Sequence, residues 1–167
     1  MEDTVKSPYQ LINDPAAGII TRMKTFWKIQ AYFMQTLMPR YQNNGFVWGQ
    51  NDCHTLVLDV HDYLHSTAFA DEVRGKYTDA RSARKFQAHW MDTVEWLEYA
   101  GYSQVNEFSN FCVISVKQHP HFLTGGFHFG GNVVFHSVVD HFEKPTLACV
   151  SIEEFENLQL PHSIWSK

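Results

Sequence analysis

The segment Phe46-Val47-Trp48-Gly49-Gln50-Asn51-Asp52-Cys53-His54 decides the fold, because it ends in a cysteine where a helix is predicted to begin. After it, apolar residues recur at the spacing of one helix face, namely at Leu56, Val57, Val60, Tyr63 and Leu64. Asp52 is a residue type that commonly caps a helix N-terminus. The sequence therefore predicts that the Cys53 thiol lies in the first turn of a helix.

This position favours a reactive thiol at Cys53. Unpaired backbone N–H groups and the helix dipole stabilise a thiolate and lower a thiol pKa to roughly 3.5–7.5 at such sites. The alternative is structural, because a buried cysteine often serves as a small apolar residue, here packed under Trp48. The position at the helix start favours a reactive thiol over a structural cysteine.

Length and composition fit one compact domain. The chain has 167 residues, of which 44% are hydrophobic and 15% aromatic, enough to bury a core. A formal charge of −5 without a Lys/Arg cluster argues against a nucleic-acid partner. The apolar run at Ile19 and Ile20 is interrupted by Arg22 and Lys24, so we expect no membrane span and a protein made in a cytoplasm. Three cysteines without a Cys-x-x-Cys pair indicate free thiols.

Ten histidines raise the question of a metal site. His61 and His65 lie four residues apart on the predicted helix and share a stripe with His54, opposite the apolar face. Two histidines at that spacing can hold zinc, but a zinc site needs a third or fourth ligand, and neither a His-Glu-x-x-His motif nor a cysteine pair supplies one. A solvated polar face is the more common explanation, so we expect no metal and no cofactor.

Residues 1–18 are predicted to form an extended N-terminal arm. They contain Pro8, Pro15 and Gly18 and show no sustained hydrophobic period. Such a segment cannot bury enough surface alone to offset an ordering entropy of roughly 1–2 kcal/mol per residue. We therefore expect the arm to be ordered only against another chain, and residues 19–167 to form a single domain.

The hydrophobic period of the chain changes near residue 110. Helical spacing predicts three helices, over residues 19–38, 53–65 and 80–100. Pro39 ends the first, the third is expected to break near Met91, and residues 66–78 form a loop. A period of two then predicts four short strands, over residues 111–116, 126–130, 133–139 and 147–152. This order predicts an α+β fold with a helical half packed on a small antiparallel sheet.

Two strings carry a resemblance to a known family. Phe46-x-Trp48-Gly49-x-x-Asp52-Cys53 at a helix start, followed by Arg74-Gly75-Lys76-Tyr77 and an Ala-rich helix, resembles a domain family of unknown function that is common in phage tail gene modules. That family is similar to the NlpC-type papain-like cysteine peptidases. The resemblance covers roughly residues 22–140 and implies a papain-like fold with the cysteine at a helix N-terminus.

The resemblance also implies a catalytic site. In NlpC-type enzymes a base stands on the first long strand and an orienting residue on the next strand. The segment Gly126–His136 matches that hairpin in length and glycine placement, which puts His136 in the orienter's place and Thr124 where the base should be. The catalytic candidates are therefore Cys53 as nucleophile, His128 as base and His136 as orienter.

His128 is the nearest histidine that could replace the missing base. A bulge at Gly125–Gly126 would slide it toward the site, across the roughly 13 Å that four strand residues span. The alternative for His128 is a half-buried sheet residue, and His121 is a second candidate for the base. Ser109-Asn110 also replaces the Gly-Asp that often begins the first strand, and the two departures together indicate drift from catalysis.

Two functions follow from the resemblance. The first is a cysteine hydrolase that cleaves an amide of the peptidoglycan stem peptide, carried in the tail tip of a phage to help it cross the cell wall. The second is a catalytically inactive structural tail component that keeps the fold and binds neighbouring tail proteins. Either protein would be assembled in the host cytoplasm and belong to the virion tail. Fold alone does not decide between them; the discriminating feature is whether any imidazole lies within hydrogen-bond reach of the Cys53 sulfur.

Overall fold

The structure is a computed structural model that describes residues 5–119, 122–138 and 145–167, without the side chain of Phe122. Helices occupy the first hundred residues and strands most of the remainder, which confirms the predicted α+β class. Within the described residues, no helix combines the length and apolar character that a membrane crossing needs. The α-helices of this part are α1 (Pro8–Asn13), α2 (Ile19–Tyr32), α3 (Met38–Asn43), α4 (Cys53–His65), α5 (Phe69–Val73), α6 (Ala80–His89), α7 (Thr93–Tyr99) and α8 (Ile152–Asn157).

The strands form one antiparallel sheet in the order β1-β6-β2-β3-β4-β5. They are β1 (Ser103–Val105), β2 (Val113–His119), β3 (Phe122–Phe129), β4 (Asn132–Ser137), β5 (Thr146–Ser151) and β6 (His162–Ser166). The four predicted strands correspond to β2–β5, although Val139 lies outside the described residues. β1, β6 and α8 were not predicted, because elements of three to six residues show too little periodicity.

Pro39 does not end the first long helix. α2 passes into a π-helical turn over Phe33–Leu37 and continues as α3, which holds Pro39 in its first turn. Proline lacks an N–H group and clashes with the carbonyl four residues earlier. The wider turn, in which the Met38 N–H reaches the Phe33 carbonyl, accommodates both effects and carries Tyr41 into the core.

The described part of the predicted arm is not extended. Residues 8–13 form α1, whose N-terminus is closed by a capping box. Tyr9 and Ile12 pack against the apolar cluster between α2 and α4, and the Tyr9 hydroxyl donates to the backbone carbonyl of Lys167. This segment therefore packs partly buried apolar side chains against its own domain, while residues 1–4 lie outside the described residues.

The sheet separates two apolar clusters, and this decides which way its histidines face. Phe127 of β3 and Val134 of β4 pack against α2 and α4 on one face. Phe135 packs against α8 on the other face. Because side chains alternate along a strand, His136 faces the helices and His128 faces away from them.

α4 is buried on nearly all sides, so the predicted solvated histidine stripe is wrong. His54 and His61 are buried, because α5, α6 and α7 cover the face on which they lie. The Nδ1 atom of His61 lies 2.9 Å from the Tyr102 hydroxyl, and burial lowers the pKa of His61 to about 3. Groups of three or more His, Cys, Asp or Glu suited to a metal ion do not occur among the described residues.

Candidate functional site

Cys53 is the first residue of α4, as predicted. The Asp52 carboxylate accepts the Thr55 N–H at 2.9 Å and the Thr55 hydroxyl accepts the Asp52 N–H at 3.0 Å, which closes a capping box. The other carboxylate oxygen accepts the Gly49 N–H at 2.8 Å. The backbone N–H groups of Cys53 and His54 favour the thiolate form of the sulfur. The loop and the cap thus fix the thiol at the helix start.

The two strings that carry the resemblance contact each other in space. Gly49 has a φ of +70°, and a Cβ on it would lie 2.2 Å from the carbonyl oxygen of Tyr77, so only glycine fits. The Gly75 N–H donates to the Gly49 carbonyl at 2.9 Å. The Tyr77 hydroxyl hydrogen-bonds the Asp52 carboxylate. The second string therefore supports the loop that presents the cysteine.

Arg74 of the second string also anchors α4. Its guanidinium forms an ion pair with the buried Asp59 carboxylate, and the Tyr41 hydroxyl donates to the same oxygen at 2.7 Å. Arg40 lies 3.5 Å from that oxygen. Removing one partner of a buried ion pair typically costs about 3–5 kcal/mol, because the other charge is left uncompensated. This network ties α3, α4 and the segment after α5 together behind the site.

Cys53 and His136 line the same cavity, which has a volume of about 100 Å³. β3 approaches the start of α4 closely, since a Cβ on Gly125 would lie 3.0 Å from the Cys53 carbonyl oxygen and 2.9 Å from Val57. The remaining lining residues are Phe46, Trp48, His119, Thr124, Val138 and Pro145. The helix supplies the thiol and the sheet supplies the imidazole.

His136 is buried without a hydrogen-bond partner for its ring. It is 1% exposed, and neither ring nitrogen hydrogen-bonds the Cys53 sulfur or any other group within the described part of the chain. The rings of Tyr41 and Phe46 lie 5.9 and 5.2 Å from the imidazole, centroid to centroid. Burial lowers the pKa of His136 to about 4, although Asp52 acts in the opposite direction. The imidazole is therefore neutral at pH 7, in the form that accepts a proton.

The thiol pKa of Cys53 is raised, whereas its helix position predicted a lowered one. Burial is the largest cause, the Asp52 carboxylate adds to it, and together they raise the pKa to about 12. The N–H group of Gly125 and two N–H groups of the helix start lower the pKa, but burial outweighs them. The resting site therefore holds a neutral thiol and a neutral imidazole.

His128 lies outside this cavity. Its Nδ1 atom is 2.8 Å from the Ser109 carbonyl oxygen, and its ring faces away from α4. The bulge expected at Gly125–Gly126 does not form: the irregularity between β2 and β3 lies between Val116 and His119, and the pairing of β3 with β4 is regular. Without a register shift, the strand holds the predicted base away from the thiol, and His136, predicted as the orienter, is the imidazole that lines the thiol's cavity.

The remaining sequence candidates divide between the cavity and the undescribed part of the chain. Thr124, at the expected base position, lines the cavity. His121 lies outside the described residues. The residue that the sequence analysis missed is His54, which is buried beside the nucleophile with both ring nitrogens unpartnered in the described structure. The position of His54 directly after Cys53 could have indicated a role at the site. The sequence analysis instead assigned His54 to a solvated histidine stripe.

Cys53 and Trp48 also line a second cavity, between α4, α6, α7 and the sheet. It has a volume of about 40 Å³ and is partly open to solvent. Its walls are mostly apolar, and its polar lining comes from Asp52, His54, Arg84, Gln87 and Thr93. The thiol therefore stands where two cavities adjoin.

A domain of unknown function (DUF6950) matches residues 23–106, which is just over half of the chain. The chain therefore belongs to this family. The matched range contains both strings and α4, and it stops before the hairpin that carries His136. No curated protein and no solved structure matches the chain.

Proposed function

We propose that this chain is a cysteine hydrolase with a papain-like, NlpC-type fold that acts on amides of the peptidoglycan stem peptide from a phage tail tip. The observation that supports the chemistry is that Cys53, in the first turn of α4, and His136, on β4, line one cavity. The substrate and the location in the virion tail rest on the resemblance of the two strings around Cys53 and Arg74.

The proposed reaction is acyl transfer through the Cys53 sulfur. His136 accepts the thiol proton as the sulfur attacks the amide carbonyl, and the C–S bond forms. The C–N bond then breaks as the imidazolium returns this proton to the leaving amine. Water, deprotonated by the neutral imidazole, attacks the thioester and releases the acid and the thiol. The backbone N–H of Cys53 is placed to stabilise the oxyanion of each tetrahedral intermediate.

The shifted pKa values define what His136 must do in this reaction. A raised thiol pKa leaves little thiolate at pH 7, so the sulfur becomes nucleophilic only as a base removes its proton. A lowered imidazole pKa keeps the base unprotonated. The proton transfer must therefore accompany the attack, in place of a preformed thiolate–imidazolium pair.

Peptide release from purified peptidoglycan tests the proposal. We expect the parent protein to release soluble peptides with new amino termini, detected by mass spectrometry, and Cys53→Ala to release none. Cys149→Ala is the matched control, because it removes an exposed thiol that does not line the cavity. Absence of peptide release by the parent would reject the hydrolase.

A structural role in the tail is the second candidate, and the exposed apolar face of α2 and the following turn favours it. Four large side chains there are between 54% and 65% exposed at helical spacing: Ile20, Met23, Trp27 and Met34. The charged residues of α2 are all basic: Arg22, Lys24 and Lys28. An apolar stripe beside cations suits a neighbouring tail protein that presents an apolar patch with carboxylates around it.

A further inference from the structure

The cavity between α4, α6 and α7 contains a buried polar side chain without a partner. His54 is 9% exposed, and neither of its ring nitrogens is hydrogen-bonded in the part of the chain that the structure describes. The ring of Trp90 lies 5.7 Å from the imidazole, centroid to centroid. An unsatisfied buried polar group costs roughly 1–3 kcal/mol. A ligand that completes this hydrogen bond would recover that cost.

Hydrogen-bond donors dominate the available polar groups of this cavity. Arg84 and Gln87 of α6 and Thr93 of α7 line it together with His54. Arg84 forms no ion pair among residues 5–119, 122–138 and 145–167. Asp52 also lines the cavity, and its charge acts against an anion at the sulfur, so a ligand carboxylate must pair with Arg84 on the α6 side. The cavity therefore suits an acceptor, and a guanidinium with donors beside it favours a carboxylate.

The shape of the cavity limits what else the ligand carries. The volume of about 40 Å³ exceeds the roughly 10–15 Å³ that a cavity needs to hold one water molecule. Tyr77, Trp96 and Leu97 contribute apolar wall around it. A short group therefore fits inside, with the remainder of the ligand toward solvent.

We propose that this cavity binds a short apolar group ending in a carboxylate, which Arg84 and His54 hold beside the Cys53 sulfur. In turnover this group is the acyl part of the substrate next to the scissile amide, an assignment that rests on the proposed hydrolase function. The binding site itself requires only the residues of α4 and α6 and the wall between them.

Alkylation of Cys53 by two reagents of similar size tests this site without any turnover. Iodoacetate carries a carboxylate and iodoacetamide a neutral amide, and each forms an S–C bond with loss of iodide. The rate constants are measured at low ionic strength by mass spectrometry of the Cys53 peptide, in a Cys149→Ser background, with N-acetylcysteine as the reference thiol. We expect the iodoacetate-to-iodoacetamide ratio at Cys53 to exceed the reference ratio by about threefold to tenfold.

Two pairs of variants identify the source of this preference. Arg84→Gln should return the ratio to the reference value, whereas Arg81→Gln removes an exposed cation of the same helix that does not line the cavity and should leave the ratio unchanged. His54→Leu should lower the ratio, and His54→Gln, which keeps a donor, should retain most of it. Circular dichroism melts of all four variants establish that the fold is intact.

The proposal is overturned by a parent ratio equal to that of N-acetylcysteine. It is also overturned if Arg84→Gln and Arg81→Gln change the ratio equally. The peptidoglycan assay gives a separate answer: a parent that releases no peptide but shows an Arg84-dependent ratio rejects the hydrolase and retains the carboxylate site. Peptide release by a parent whose ratio equals that of N-acetylcysteine rejects the carboxylate site and retains the hydrolase.

Discussion

At the scale of single residues, Cys53 shows burial acting against a helix N-terminus. Burial and the Asp52 carboxylate raise the pKa of its thiol, and they outweigh the backbone N–H groups of Gly125, Cys53 and His54, which favour the thiolate. In the proposed reaction the thiol therefore depends on His136 to remove its proton.

The raised pKa predicts how Cys53 reacts with iodoacetamide as the pH changes. Only the thiolate reacts, so below the pKa the rate should rise about tenfold per pH unit, without a plateau between pH 6 and 9. N-acetylcysteine, measured in parallel, should bend toward a plateau near its ordinary pKa of about 8.5. A plateau for Cys53 below pH 8 would show the stabilised thiolate that the helix position alone predicts.

Features of the site that depend on neighbouring residues in the sequence could be predicted, and features that depend on other elements could not. Asp52 as cap and Cys53 as first helical residue depend on neighbours within a few positions, and both could be predicted from the sequence. The thiol pKa depends on Gly125, which comes from another element and brings a strand within contact distance. Which histidine lies near Cys53 depends in the same way on which face of β4 packs against the helices. Local sequence patterns do not predict that contact.

At the scale of elements, the site loop is held by the segment after α5. Gly49 and Tyr77 touch backbone to backbone, and Arg74 pairs with Asp59 of α4. Each of the two strings is therefore a packing partner of the other. The loop therefore depends on a contact that a single methyl group would block.

Gly49→Ala should destabilise the protein much more than Gly45→Ala. Both glycines have positive φ, +70° and +64°, so an alanine at either pays about 1–2 kcal/mol of backbone strain. At Gly49 the new Cβ would also meet the Tyr77 carbonyl oxygen at 2.2 Å, whereas nothing lies within 4 Å of a Cβ at Gly45. Urea denaturation of both variants measures the difference, and equal losses would contradict the contact.

Helix and strand positions were predictable where one period persists, as in α4, the α6–α7 pair and β2–β5. The π-helical turn before Pro39 was not predictable, because it accommodates the missing N–H and the steric clash of the proline, and the hydrophobic pattern contains no information about either. The burial of His54 and His61 was not predictable either. Their stripe on α4 is polar in sequence, and only the covering by α5–α7 makes it a second interior face.

At the scale of the whole molecule, the helical half carries Cys53 and the sheet carries His136. The family match covers the helical half as far as residue 106, so it includes Cys53 and excludes His136. The outward face of α2 is left uncovered by the residues that the structure describes and carries the exposed apolar stripe beside its cations. The site and the stripe therefore belong to different surfaces, and each can be tested without disturbing the other.

Trp27→Ser tests the stripe as a contact with a neighbouring tail protein. Trp27 is 60% exposed, so the substitution should change the free energy of unfolding by no more than about 0.5 kcal/mol. It should nevertheless reduce incorporation of the chain into purified tails, measured by quantitative mass spectrometry. Tyr99→Ser is the control, because it removes an aromatic side chain that is 70% exposed on α7. Parent-level incorporation of Trp27→Ser would contradict this role of the stripe.

The central claim is that His136, and not His128, is the base for Cys53, and the rate of peptide release by two matched variants tests it most directly. His136→Asn should lose about 10²–10⁴-fold in rate, because it removes the imidazole from the thiol's cavity. His128→Asn should stay within about threefold of the parent, because the Asn amide can still donate to the Ser109 carbonyl. Loss of activity in His128→Asn with retention in His136→Asn would contradict the claim.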